Sequence, residues 1–261
     1  MLQRLARDPA FLAGLALRLA LLAAASPAIQ TRWFVPFLTA LPVNWAAPWA
    51  AFVATGGDVA AFPYGVPYVA AFLPGVLLGE AVGGDAGGRL GLGLSILFWD
   101  LVLLLVLGRI AGDARSARVT RLYWLSPITV YVGYWHGQLD VFPAALLAAS
   151  LLAIAGHRQV RAGLLYGAAV AAKLSMILPA PFILLYFLGQ SRLRRSVGQL
   201  IVPAALVAGV LFLPFCLSPG FRQMVLYTPE TAKIFSFSLL IGRDLSLYFL
   251  PIACLGLLYA A

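Results

Sequence analysis

The chain has 261 residues, 62% of them apolar and only 10% charged, with a formal charge of +9 and a pI near 10. Soluble domains carry about 25% charged and under about 50% apolar residues, so a water-soluble globule is excluded and lipid must be the solvent. The positive charge does not mark a nucleic-acid binder, because the basic residues fall in short clusters between apolar runs, where they set membrane topology.

The opening MLQRLARD has no convincing cleavage site after it, so the apolar run 11–29 reads as a retained helix. Runs at 90–107, 200–217 and 245–261 also approach the roughly 20 residues that cross a hydrocarbon core. Backbone groups in lipid must be satisfied internally, so such runs are helices. Cys216 and Cys254 lie in apolar settings without metal-type spacing and read as packing residues; no metal and no cofactor is expected.

Two topologies compete. In one, 30–89 is a long outer loop carrying helices that lie on the membrane, and 162–188 is a pair of half-length helices broken near Pro179 and Pro181. In the other, 66–82 and 162–188 are each full crossings. The first leaves 11 basic residues inside and five outside (Arg32, Arg89, Arg222, Lys233, Arg243); the second leaves six inside and ten outside. The excess of cytosolic Arg and Lys expected of membrane proteins favours the first. It predicts an all-α, single multi-pass domain over 1–261 with about eight crossings, at 10–29, 90–110, 119–135, 139–156, 162–174, 177–189, 198–215 and 245–261. A second outer loop spans 216–244. Trp33, Trp45 and Trp49 predict a segment at headgroup level in the first loop. The last run ends with the chain, without a polar tail, and looks like a module.

Chemistry is sought at the outer side. Asp58 follows Thr55-Gly56-Gly57 and precedes Phe62-Pro63-Tyr64-Gly65, where Gly and Pro predict a non-helical turn. A lone carboxylate there suits an inverting sugar transfer: it takes the proton of an acceptor hydroxyl, while a phosphate leaving group needs no acid. The competing reading is a turn aspartate that caps the next helix. His136-Gly137-Gln138-Leu139-Asp140 places an imidazole, an amide and a carboxylate at one bend, suited to sugar hydroxyls or a phosphate, or merely to capping two helices. Lys173 interrupts an apolar stretch, where a lysine is a functional candidate by default, with snorkelling as its alternative. Asp100 and Arg18 sit mid-run and are expected to pair with each other. Arg222, Lys233 and Arg243, in the second outer loop, suit either a phosphate or lipid headgroups.

The order of these features resembles the C-type (GT-C) glycosyltransferases that use lipid-linked sugars, particularly the glucosyltransferases that extend dolichol-linked oligosaccharide. An outer-loop aspartate and Pro-Tyr turn are followed by Trp99-Asp100-Leu101-Val102, then His136-Gly137-Gln138, then Ala162-Gly163-Leu164-Leu165-Tyr166-Gly167 leading to Lys173 and Pro179. The resemblance covers nearly all of 10–245. It implies a polyprenyl-phosphate sugar donor, inversion on the non-cytosolic face, Asp58 as catalytic aspartate, and donor contacts from His136, Gln138 and Lys173; Tyr64, Asp140, Arg222 and Arg243 are further candidate donor contacts by their place at the outer side. Two departures stand out. Asp58 lies five residues before Pro63 with no acidic neighbour until Glu80, and relatives are usually longer.

The expected partners are therefore a polyprenyl-phosphate-linked sugar, the bilayer, and a glycan, lipid or protein acceptor. Sixteen Arg against two Lys, with abundant Ala, suggests a bacterial inner-membrane protein whose site faces the periplasm. Two rivals are a lipid or polyol-phosphate transporter, which lacks a second broken helix pair here, and a non-catalytic partner of another membrane enzyme.

Overall fold

A computed structural model of the chain describes residues 5–228, 238–240, 246–248, 253 and 255–257. The all-α expectation holds, with one addition: Ser238–Leu240 (β1) and Ser246–Tyr248 (β2) pair antiparallel, Leu239 opposite Leu247. A crossing was expected from 245, so its first residues are strand instead. Much of the remainder of that stretch lies outside the described residues.

Pro9–Ala24 (α1) starts where Asp8 Oδ1 accepts from the Ala10 N–H at 2.9 Å and Pro9 occupies the first turn, where its missing N–H costs nothing. Gln30–Val43 (α2) and Pro48–Ala54 (α3) meet at 110°. Trp49 was expected at headgroup level. It is instead 1% exposed, wedged edge-on against Phe215 and Phe221, while Trp45 is 58% exposed.

Val66–Ala111 (α4) is mostly apolar, but it is not one rod. Gly83 leaves helical geometry and Gly84 has φ +59, ψ −148. Without a Cβ, Gly84 adopts this conformation at little cost. The chain folds back there, and its two arms lie antiparallel with backbones touching. A side chain at Gly79 would overlap the carbonyl of Gly87, and one at Gly91 that of Gly75. These glycines recur at four-residue spacing, the pattern that lets membrane helices approach closely.

The second arm, 85–111, runs antiparallel to α1. Arg89 Nη1 donates to the carbonyls of Leu22 and Ala25, Gly93 meets Leu22, and Arg18 meets Asp100. The hairpin tip therefore lies beyond the C-terminal end of α1. The 66–82 arm begins beside Ala172 and turns back at the tip, so it does not join the two ends of the bundle.

The segment expected as a crossing at 119–135 is broken. Ser126 is extended ahead of Pro127, as steric clash with a following proline demands, and the helical turns on either side are wide π turns at Thr120–Trp124 and Tyr131–His136. Val141–Ala155 (α5) packs its Ala145 and Ala148 against Leu103 and Val106 of α4. Gln159–Ala172 (α6) returns beside it, with Ser150 Oγ donating to the Ala162 carbonyl at 2.8 Å. The expected break in 162–188 falls earlier than the prolines. The backbone turns extended at Lys173, passes through a 3-10 turn at Leu174–Ile177, and resumes as Ala180–Gly189 (α7). Val197–Cys216 (α8) runs parallel to α6, because Gly163 and Gly167 of α6 admit the backbones of Leu200 and Ala204. Its other face leaves Val202, Leu206, Val210 and Leu213 exposed, as a lipid-facing helix does.

Among the described residues two helices, α4 and α8, are long and apolar enough to cross a membrane, or three elements if the bent pair α2–α3 forms one span. Eight crossings are therefore not found as such: α1, α5 and the broken stretch 174–189 are apolar but short. The loops 112–121, 156–158 and 190–196, rich in arginine, gather at one end. The loops 55–65, 136–140, 173–179 and 217–228 gather at the other.

Candidate functional site

The loop end opposite the arginines opens into a cavity of about 1,270 Å³. Its walls come from five separated pieces of chain: 28–34, 58–64, 131–138, 173–178 and 225–228. Asp58, Tyr64, His136, Gln138 and Lys173 all line it. A smaller cleft of about 270 Å³ at the arginine-rich end is lined by Asp8, Asp113, Ser116 and Thr120 and by apolar groups. Among the described residues it holds two carboxylates but no imidazole or cation.

Asp58 is exposed at the cavity wall. Its Oδ1 accepts from the Ala60 N–H at 2.8 Å and its carbonyl accepts from Ala61, so the side chain closes its own turn. It does not cap the next helix, whose first residue is Val66 and whose cap position is Gly65. The second carboxylate oxygen has no hydrogen-bond partner among the described residues.

The Pro-Tyr turn is held from both sides. The Gly65 N–H donates to the Ala172 carbonyl at 2.9 Å, and a side chain at Gly65 would overlap the Ala171 carbonyl. Glycine thereby brings Tyr64 against the end of α6. On the other side the turn rests on aromatic rings: Phe37 stacks on Phe62 at 4.3 Å, Tyr64 on Tyr68 at 4.2 Å, and Phe142 meets both Tyr68 and Trp99 edge-on. Such pairs add about 0.5–1.5 kcal/mol each beyond the area they bury. This floor makes the Tyr64 position stiff. Tyr64 Oη donates to Gln138 Oε1 at 3.1 Å, tying the first loop to the 136–140 bend.

Lys173 points back into the same group. Its Nζ forms an ion pair with Asp140 Oδ1 at 2.5 Å and sits 5.6 Å from the centre of the Tyr64 ring. Asp140 was expected as a contact for the ligand. Its carboxylate is engaged by Lys173, and it is not among the lining residues. Arg222 was expected at the site as well. It is exposed and does not line the cavity, although Val225 and Thr228, one turn and two turns on, do. Arg243 lies outside the described residues.

The sequence reading missed Arg32, Trp33, Tyr131 and Trp135, which also line the cavity. Three π-helical turns border it: Gln30–Phe34, Tyr131–His136 and Arg222–Leu226. Such turns are frequent at functional sites but have no sequence signature. Arg32 beside Trp33, just after Ser26-Pro27, was the one signal available.

Behind the cavity lies a buried polar cluster. Arg18 Nε donates to Asp100 Oδ2 at 2.8 Å, Arg18 Nη1 to the Trp124 carbonyl at 2.7 Å, and Tyr134 Oη to Asp100 Oδ2 at 2.8 Å. Tyr123 Oη donates to the other carboxylate oxygen. The guanidinium lies 3.6 Å over the Trp124 ring. The expected pairing of Arg18 with Asp100 is thus present, with two tyrosines added. Among the described residues no group of three His, Cys, Asp or Glu side chains could hold a metal ion.

The sequence model of Glycosyltransferase family 87 matches residues 62–261. No curated protein and no solved structure matches the chain.

Proposed function

The chain belongs to Glycosyltransferase family 87, a GT-C type family that uses polyprenyl-phosphate-linked sugars, and from that premise we propose that it moves one sugar from such a carrier to an acceptor, with inversion, in the cavity at the loop end. The observation that supports this best is the convergence of Asp58, Tyr64, His136, Gln138 and Lys173, from loops up to 115 residues apart, on one cavity.

In this reading the acceptor hydroxyl lies against the unengaged oxygen of Asp58. Its oxygen attacks the anomeric carbon, the bond from that carbon to the phosphate oxygen breaks, and the proton passes to Asp58 as general base. The electron pair of the broken bond stays on the phosphate, which leaves without a proton. His136 and Gln138 supply donors and acceptors for sugar hydroxyls. Lys173, braced by Asp140, holds the far side of the sugar-binding space. The arginine-rich end faces the cytosol by the positive-inside rule, so the cavity faces the periplasm of a bacterial inner membrane.

The test is sugar transfer by the purified chain from synthetic undecaprenyl-phosphate sugars, with inversion read by NMR of the product. Transfer with retained configuration would refute the single-carboxylate mechanism. Binding of the carrier with no transfer to any acceptor would favour the non-catalytic partner.

A further inference from the structure

We propose that Arg32, and not Lys173, is the residue that anchors the donor's phosphate. This rests on the reading above that the donor is a lipid-linked sugar phosphodiester. Four charged side chains meet at the cavity among the described residues: Arg32, Asp58 and Lys173 on its wall, and Asp140 behind Lys173. They sum to zero, but not evenly. The charge of Lys173 is already balanced by the Asp140 carboxylate in direct contact. A phosphodiester brought to Lys173 would meet that carboxylate at the same place and be repelled by it. Arg32 is exposed to the cavity and forms no ion pair among the described residues. It is the cation whose field is not cancelled locally.

The chemistry of the group agrees. A guanidinium offers two parallel N–H groups to two phosphate oxygens and gives up its hydration more readily than an ammonium. A sugar phosphodiester carries one negative charge, which one guanidinium balances. The segment is also aimed. Arg32 stands on the π turn Gln30–Phe34, and Gln30 Nε2 donates to the Gly137 carbonyl at 3.4 Å. That bond docks the turn onto the bend that carries His136 and Gln138. Arg32 thus stands on an element tied to the sugar-binding bend through Gln30, and the same turn packs its Phe34 against Phe62 and Tyr64 of the stiff Asp58–Tyr64 loop. As the anomeric bond breaks, its electron pair moves onto the phosphate and the charge there grows. A cation already in place at that oxygen assists the step as well as the binding.

The experiment uses the full chain in phosphatidylcholine nanodiscs with undecaprenyl phosphate as the binding probe and synthetic undecaprenyl-phosphate sugars as the turnover probe. Arg32→Gln is expected to weaken undecaprenyl phosphate at least about tenfold and to lower kcat/KM about 10²–10³-fold, the scale for losing one preorganised electrostatic contact. Arg32→Lys should restore part of the binding, and Lys173→Met should weaken it less than Arg32→Gln does. Elution of each variant as the wild type does on gel filtration guards against unfolding. If Arg32→Gln binds and turns over like an active wild type, the phosphate sits elsewhere and Arg32 is no anchor, while the family reaction stands. If phosphatidylglycerol displaces the probe as well as undecaprenyl phosphate itself, or inorganic phosphate alone competes equally, Arg32 is a general headgroup or anion contact and the assignment fails. If the wild type neither binds the carrier nor transfers from it, the function proposed above falls and takes this inference with it.

Discussion

Arg18 and Asp100 stand 82 residues apart and meet at 2.8 Å with both side chains out of solvent. The pair joins α1 to the second arm of α4, and through Tyr134 it reaches the π turn whose Tyr131, Trp135 and His136 line the cavity. A deep interior contact therefore holds the geometry of the 136–140 bend.

Removing one member of that pair leaves the other charged in a low-dielectric interior. Asp100→Asn should cost about 3–5 kcal/mol of stability, the range for breaking a buried ion pair. Arg18→Met should cost a similar amount. The double variant Arg18→Met/Asp100→Asn should be less destabilised than the sum of the two singles, because neither charge is then orphaned. Thermal unfolding in detergent reads all four proteins. Strict additivity would show that the two charges are not coupled.

This pair was legible in the sequence because a lone charge in an apolar run has few places to go. The α-helical class and the arginine clusters were legible for the same reason: composition and charge position depend on the solvent, not on the fold. Asp58, His136 and Lys173 stood out as polar interruptions and do line one cavity. What stayed hidden depended on backbone geometry. The turn at Gly84 is marked by Gly83-Gly84-Asp85, which signals a loop but not how tightly the chain folds back, so α4 reads as one crossing flanked by a surface helix rather than as a hairpin. Trp49 reads as an interfacial anchor because burial against Phe215 and Phe221 depends on residues more than 160 positions away. The Lys173–Asp140 pair bridges 33 residues, and neither local environment announces the other. Arg222 and Arg32 were indistinguishable as loop cations; only the π turns decide which one faces the cavity.

The hairpin makes a position-specific prediction. Gly79 faces the Gly87 carbonyl, whereas Gly83 has open space around its Cβ position and a negative φ. Gly79→Val should pry the arms apart and cost about 1–3 kcal/mol, the scale of overpacking. Gly83→Ala should leave Tm close to that of the wild type. Equal Tm values for both would mean that the arms do not touch.

Sidedness follows from the arginine-rich end. Single cysteines at Ser116 and Ser191, in a background with Cys216 and Cys254 changed to Ala, should resist an impermeant thiol reagent applied to intact cells. A cysteine at Thr55, in the loop that carries Asp58, should react. Rapid labelling of Ser116→Cys and Ser191→Cys with Thr55→Cys protected would reverse the orientation.

The Lys173–Asp140 pair is partly exposed, at 28% and 43% for the two side chains. Solvent screening limits such a pair to roughly 1 kcal/mol or less. Asp140→Asn should therefore leave Tm nearly unchanged. It should also unmask the Lys173 charge, tightening the binding of undecaprenyl phosphate while lowering transfer only modestly. A collapse of stability would instead make the pair a structural strut.

The last prediction concerns Asp58 itself. One of its oxygens is occupied by the Ala60 N–H at 2.8 Å, and an asparagine oxygen can keep that bond and the turn. What Asp58→Asn removes is the second oxygen as a proton acceptor, with shape and volume almost unchanged. General-base catalysis contributes about 10²–10⁴-fold, so transfer from a synthetic donor should fall by roughly that factor, with the donor's KM close to that of the wild type. Asp58→Ala should lose as much rate and also loosen the turn, which separates the chemical role from the turn-closing one. The alternatives for the base are poorly placed: Asp140 is engaged by Lys173, and Glu80 lies three residues before Gly83 at the hairpin tip. Full turnover by Asp58→Asn would nevertheless force the proton onto another group, and Asp140→Asn would then be the next variant to assay. A wild-type chain that binds undecaprenyl phosphate yet transfers nothing, from any donor to any acceptor, would remove the base from the account altogether.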